Sequence, residues 1–242
     1  MFHETVSILL NEGTNALGHW QEFAASATWP AGSGPAALVA ADFNGDGATD
    51  MFVANDTVPD RFWQNRGDGT FEEAGFNMAC DRDNTGLAKA GMGVSVADLN
   101  DDGIEDWVAS IGQSDGKSGQ MGATQLWLSN DGGRSAGWRG GSAVSTRILD
   151  FDNDGHFDFL STGPEGIRLV RGDSAGSYQD VTALAKLAGG ATTTVAVVDL
   201  DNEGDLDLAV GGVDNIYAWQ NRMDGRFLNV DDRVGIQGVT SA

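Results

Sequence analysis

"DFNGDGATD" (residues 42–50) sets the oxygen-bearing side chains of Asp42, Asn44 and Asp46 on alternate residues, follows them with Gly47 and closes with Asp50. Like charges about 4 Å apart repel by roughly 4 kcal/mol at a surface-like dielectric, so a chain that gathers them this way needs a cation among them. The nine-residue pattern returns as "DLNDDGIED" from Asp98, "DFDNDGHFD" from Asp150 and "DLDNEGDLD" from Asp199. The loop starts lie 56, 52 and 49 residues apart, a period that marks a repeat array.

Short apolar runs enter and leave every loop: "ALVAADF" and "DMFVAND", "GVSVADL" and "DWVASIG", "STRILDF" and "DFLSTG", "TVAVVDL" and "DLAVGG". Runs of this length, rich in Val, Ile, Leu and Phe and bounded by Gly and Asp, read as buried β-strands. A hairpin signal follows in "RFWQNRGDGTFEEA" (61–74) and "YAWQNRMDGRFLNV" (217–230), with degraded copies in "QLWLSNDGGRSAGW" (125–138) and "RLVRGDSAGSYQDV" (168–181). Four strands per period of about 50 residues make the blade of a β-propeller.

The expected fold is therefore all-β, a partial β-propeller of about four and a half four-stranded blades with calcium-binding loops. A half blade is expected over 1–29, whole blades over 30–89, 90–141, 142–190 and 191–235, and the first strand of a further blade over 236–242. The half blade rests on "VSILLNEGTNALGHWQEFA" (6–24), a hairpin with no acidic loop before it. The last strand rests on "GVTSA" (238–242), which parallels the "GVSVA" (93–97) that precedes Asp98. A five-bladed ring, with the C-terminal strand joined to the N-terminal half blade, is the alternative. The one weak helical candidate is "VTALAKLAGG" (181–190).

Oxygen-only ligands on a flexible loop select Ca²⁺ over the strictly octahedral Mg²⁺. In a D-x-[DN]-x-D-G-x-x-D loop, positions 1, 3, 5 and 9 supply side chains and position 7 its backbone carbonyl, while Gly at position 6 permits the turn. The expected ligands are Asp42, Asn44, Asp46, Ala48 and Asp50 in the first loop, and Asp98, Asn100, Asp102, Ile104 and Asp106 in the second. In the third they are Asp150, Asp152, Asp154, His156 and Asp158, and in the fourth Asp199, Asp201, Glu203, Asp205 and Asp207. Ala48, Ile104, His156 and Asp205 are the carbonyl donors. Glu203 is the departure, because its longer side chain has to fold back to reach an ion. An EF-hand would need Glu at position 12, where Val53, Ala109, Ser161 and Val210 stand, and helices where these loops have strands. Three to four Ca²⁺ ions are expected.

With 14 basic and 36 acidic side chains the formal charge is −22, which argues against nucleic acid and anionic membrane surfaces. Fourteen of the acidic residues occupy the side-chain positions 1, 3, 5 and 9 of the loops, so four divalent ions would bring −22 to −14. Cys80 is the only cysteine, so no intrachain disulfide forms. The start "MFHETVSILL" has no basic n-region, and no run reaches the roughly 18 apolar residues of a membrane span, so none is expected in this chain.

The four loops resemble the FG-GAP and VCBS repeats of integrin α-chain propellers and bacterial surface proteins. "VANDTVPDRFWQNRGDGTFEEAG" (53–75) and "AGMGVSVADLNDDGIEDWVAS" (90–110) further resemble the cartilage-acidic-protein-like family, whose members often end in an ASPIC/UnbV domain. That resemblance implies an extracellular or cell-envelope propeller with Ca²⁺ in the blade loops and a binding role.

Arg66-Gly67-Asp68 and Arg171-Gly172-Asp173 spell an integrin-recognition tripeptide, but both fall at hairpin turns where Gly-Asp is favoured for backbone reasons. His3, His19 and His156 lack metal spacing. Trp63, Trp127 and Trp219 recur at matching hairpin positions and read as packing residues. The functional expectation is a non-enzymatic surface or secreted interaction module with structural calcium and an unknown protein or glycan partner. The alternative is the propeller portion of a polysaccharide-degrading lyase or hydrolase. Partner contacts are expected on variable loops such as 76–90 and 113–124.

Overall fold

The computed structural model describes residues 4–11, 23–82, 88–112, 124–129, 135–187, 189–213 and 215–231. Among the described residues, eighteen strands form one two-stranded and four four-stranded sheets, all antiparallel and each four-stranded sheet a simple meander. The architecture is that of a partial β-propeller.

The first blade holds β3 (Pro35–Ala41), β4 (Asp50–Asn55), β5 (Arg61–Asn65) and β6 (Phe71–Glu73). The second holds β7 (Gly91–Ala97), β8 (Asp106–Ile111), β9 (Gln125–Trp127) and β10 (Ser135–Arg139). The third runs through β11 (Ser145–Leu149), β12 (Asp158–Gly163), β13 (Gly166–Gly172) and β14 (Tyr178–Asp180). The fourth runs through β15 (Thr192–Val198), β16 (Asp207–Gly212), β17 (Ile216–Asn221) and β18 (Phe227–Asn229). Each acidic loop connects the first strand of a blade to the second. First strands of successive blades, β3, β7, β11 and β15, pack on one another in order.

Core residues lie between blades rather than inside one. Phe43, Phe52 and Phe62 of the first blade pack with Trp107 and Trp127 of the second, whose rings stack at 5.8 Å and 14°. Leu99, Val108 and Leu126 meet Phe159 and Val170 at the next interface. Leu149, Leu160 and Leu169 meet Val195, Leu208 and Trp219 at the last. Being sandwiched on both faces explains why β4, β8 and β12 are buried along their whole length and show no alternation of apolar and exposed polar residues. A buried cation closes the first interface: Lys89 Nζ donates to the Cys80 carbonyl at 2.7 Å, lies 3.1 Å from Asp60 Oδ2, and sits 5.1 Å from the Trp127 ring centre.

The N-terminal pair differs from the sequence reading. β1 (Glu4–Asn11) pairs with β2 (Phe23–Gly32), so the second strand runs well beyond residue 24 and Val6 faces Trp29. Alternation of half-buried Ala27 and Trp29 with exposed Thr28 and Pro30 makes this a strand, a pattern masked in the sequence by alanines and a proline. Trp29 meets Phe71 of the first blade edge-on at 4.7 Å. The helical candidate at 181–190 is a single turn: Ala185 N–H donates to the Val181 carbonyl, and Lys186 at φ 58° ends it. Residues 113–123 and 236–242, with Trp20, lie outside the described residues.

Candidate metal centre

Every loop folds on the same local contacts. The position-1 carboxylate accepts the N–H of positions 5 and 6: Asp42 from Asp46 and Gly47 at 3.1 and 2.8 Å, and Asp98 from Asp102 and Gly103 at 3.0 and 2.8 Å. Asp150 takes Asp154 and Gly155 at 3.1 and 3.0 Å, and Asp199 takes Glu203 and Gly204 at 3.2 and 3.0 Å. Gly47, Gly103, Gly155 and Gly204 stand at φ between 86° and 91°, the left-handed region the reading assigned to position 6. Position 4 is left-handed as well, at Gly45, Asp101, Asn153 and Asn202. Sequence reasoning missed this, although Gly, Asn and Asp are the residues that tolerate that conformation.

The position-9 aspartates, Asp50, Asp106, Asp158 and Asp207, are wholly buried. One oxygen of each accepts an N–H just past the third strand's core: Asn65 at 2.8 Å, Ser129 at 2.6 Å, Gly172 at 2.9 Å and Asn221 at 2.8 Å. In Asp106, Asp158 and Asp207 the other oxygen accepts the position-2 N–H of Leu99, Phe151 and Leu200. These residues therefore tie loop to hairpin, a role the spacing alone did not disclose.

The loops line up side by side. A Cβ on Gly45 would meet Ile104 Cδ1 at 3.1 Å, and His156 Nδ1 lies 3.3 Å from Asp101 Oδ2. Tyr178 Oη donates to the Leu99 carbonyl at 2.6 Å and Asn221 Nδ2 to the Phe151 carbonyl at 2.6 Å, each bracing the loop of the preceding blade.

Within the third loop, ligand atoms of Asp150, Asp152 and Asp158 lie within 4.8 Å of one another. Asp154 is not among them: its Oδ2 pairs with Arg171 at 2.7 Å, and Arg171 Nε also holds Asp152 Oδ2 at 2.7 Å. Within the fourth loop the group is Asp199, Asp201, Asp205 and Asp207. Here Asp205, expected to lend a carbonyl, brings its carboxylate, and Glu203 does not join. Gln220, at the place Arg171 holds one blade earlier, donates to Asp201 Oδ2. In the first two loops Asp46 and Asp102 accept the position-7 N–H of Ala48 and Ile104, and Asn44 and Asn100 accept the position-5 N–H. An open cleft of about 520 Å³, lined by Asp152, Asp154, Arg171, Leu184, Met223 and Arg226, adjoins the third loop.

The donor set fits a hard cation. Asp50 Oδ2, Asp152 Oδ1 and Asp205 Oδ1 are buried carboxylate oxygens with no hydrogen-bond partner, and a buried anionic oxygen without a partner is costly. The repeat pattern matches the FG-GAP-like repeat family over residues 42–109 and 150–210, more than half of the chain. The chain belongs to that family. No curated protein matches the chain. Among solved structures, an Agrocybe aegerita lectin that recognises non-reducing terminal N-acetylglucosamine is similar at 22% identity and TM-score 0.44, over 78% of this chain and 49% of that one. The present chain thus spans about half the length of that lectin. The Tc holotoxin pore of Photorhabdus luminescens is similar at 15% identity and TM-score 0.34, over 86% of this chain and 10% of that one.

Burial sets the proton affinity of the FG-GAP loops. It pushes Asp50 and Asp106 up to about 6 and Asp158 up to about 7, with neighbouring loop carboxylates adding to the rise and backbone N–H donors opposing it. Asp205 is raised by burial and then by the charges of Asp207, Asp201 and Asp199. Raised carboxyl values mean that the folded, metal-free state holds protons that the unfolded chain has released. Their contribution to stability is complete below about pH 4 and is lost as pH rises through about 6 to 7. Metal-free protein is therefore expected to melt at a lower temperature at pH 8 than at pH 5. Saturating Ca²⁺ is expected to flatten or reverse that slope, because the ion binds ionised carboxylates. Melting curves at the two pH values with and without Ca²⁺ check this, and a metal-free protein more stable at pH 8 would contradict it.

Both Arg-Gly-Asp tripeptides are engaged in local structure. Arg66 pairs with Glu72 and Asp68 accepts from Thr70, while Gly172 N–H serves Asp158 and Asp173 accepts the N–H of Ala175 and Ser177.

Proposed function

We propose that this chain is a calcium-binding repeat module whose ions are structural and whose role is to present a propeller surface to a protein or glycan partner outside the cell or on its surface. The observation that carries the calcium reading is the set of partnerless buried carboxylate oxygens inside loops of otherwise repeated geometry. In the third loop an ion would be held by Asp150, Asp152 and Asp158, in the fourth by Asp199, Asp201, Asp205 and Asp207, and in the first two by the matching positions, drawing together the two strands that flank the loop. Within the broader family we place the chain nearest the cartilage-acidic-protein-like propellers, on the stretches 53–75 and 90–110.

Calorimetric titration with Ca²⁺ and with Mg²⁺ tests the metal reading. Three to four Ca²⁺ per chain, with Mg²⁺ much weaker, is the expected result; no uptake of Ca²⁺ would reduce the loops to polar turns. Glycan and protein arrays probed with calcium-loaded protein test the binding role, and silence on both would leave a calcium-stabilised spacer. We read the chain as non-enzymatic, since its buried loop aspartates are already engaged by backbone N–H groups. Ultraviolet-absorbing products released from acidic polysaccharides would overturn that reading.

A further inference from the structure

The fourth loop departs from the other three in both sequence and geometry. Its position 5 is Glu203, and its position 7 is Asp205, where the other loops carry Ala48, Ile104 and His156. The Asp205 carboxylate lies with those of Asp199, Asp201 and Asp207, all four offering an oxygen within 4.8 Å of the others. Asp205 is only 7% exposed, and its Oδ1 is buried with no hydrogen-bond partner. Glu203 is exposed, and its backbone N–H, rather than its carboxylate, ties into the loop through Asp199 and Asp201.

The charge balance sharpens the difference. In the third loop Arg171 lies against Asp152 and Asp154 and neutralises part of the cluster. In the fourth, the equivalent donor is the uncharged Gln220, which reaches Asp201. Four gathered carboxylates, one of them buried and unpartnered, thus face no cationic side chain among the described residues that touch them. A hard cation held among the four oxygens relieves both their mutual repulsion and the unpartnered buried oxygen.

We propose that the fourth loop is a variant cation site in which the Asp205 side chain, rather than its backbone carbonyl, is a ligand and takes over the place that Glu203 leaves empty. The ligand set is Asp199, Asp201, Asp205 and Asp207, and Glu203 is a solvent-facing bystander. This rests on the calcium-module reading and refines it for one loop.

The test is calorimetric counting of Ca²⁺ on the full chain and on Asp205→Ala, Glu203→Ala and Asp199→Ala, with melting curves in chelator and in Ca²⁺. The expected result is that Asp205→Ala and Asp199→Ala each bind one ion fewer than the unaltered chain, while Glu203→Ala binds the full number. In chelator, Asp205→Ala is expected to melt at or above the unaltered chain, because one buried like charge has gone; in Ca²⁺ it is expected to melt below it. That crossing separates ligation from a purely structural role. Loss of an ion in Glu203→Ala with full binding in Asp205→Ala would overturn the assignment. An Asp199→Ala variant that loses no ion would show the fourth loop to be no site, leaving the other loops' calcium intact. A chain that binds no Ca²⁺ at all would overturn both this assignment and the module reading on which it stands.

Discussion

Removing calcium is expected to lower the stability of the folded chain by about 2 to 6 kcal/mol. Calcium modules of the extracellular type bind with dissociation constants of about 0.1 to 1 mM, so at about 1 mM free Ca²⁺ each site contributes roughly 0.4 to 1.4 kcal/mol by mass action. Four loops acting independently sum to the range above, which rivals the whole stability of a marginal domain. The structural reason lies in the position-9 aspartates, which are wholly buried and joined by hydrogen bonds to the hairpin beyond. An ion bound between them and positions 1 and 3 couples the loop to both flanking strands. Without it the clustered carboxylates remain, and their mutual repulsion works against the folded state. Urea denaturation in chelator, in Mg²⁺ and in Ca²⁺ measures the difference. A midpoint that moves with Ca²⁺ but hardly with Mg²⁺ is the expected outcome, and an unchanged midpoint would exclude a structural role for the ion.

Lys89→Met is expected to cost about 3 to 5 kcal/mol, the usual penalty for stranding one member of a buried ion pair. The Lys89 and Asp60 side chains are each only 2% exposed and stand 3.1 Å apart. Asp60 also accepts the Asn55 N–H at 2.8 Å, and Lys89 donates to the Cys80 carbonyl while lying over Trp127 of the second blade. Burial holds the Asp60 carboxyl up at about 6 even though the Lys89 charge pulls it down. With the ammonium gone the Asp60 carboxyl is pushed higher still, so the deficit should be smallest at acid pH and grow as pH rises through about 6. Pairing the change with Asp60→Asn should restore much of the loss, since no buried charge is then left alone. Denaturation of the single and double variants at pH 5 and pH 8 reads this out; a deficit independent of pH would mean that packing, not charge, is what Lys89 provides.

The same locality argument explains what could be read in advance. The acidic loop is a nine-residue device in which an aspartate at position 1 receives N–H groups four and five residues on, and a left-handed glycine makes the turn. All of its parts lie within one short segment, so its pattern is visible wherever it recurs, and the alternation of apolar runs around it is enough to define four-stranded blades. The strand that resisted was β2, where Ala27, Thr28, Trp29 and Pro30 form a period of two without the aliphatic residues that make such a period obvious.

By itself, then, the sequence determined the repeat, the all-β class, the place of each loop between two strands and the oxygen chemistry that selects a hard cation. Only the tertiary structure decided which oxygens are available. Arg171 takes Asp154 Oδ2 while Asp154 Oδ1 stays on the His156 N–H of its own loop, Asp205 enters where Glu203 stays out, and Lys89 meets Asp60 beneath the second blade. Arg171 reaches Asp154 across 17 residues and Gln220 reaches Asp201 across 19, Lys89 lies over Trp127 of the next blade, and burial brings the Asp205 carboxylate in. Local spacing fixes the turn of the backbone; burial and the charges that the fold delivers from elsewhere fix what each carboxylate does.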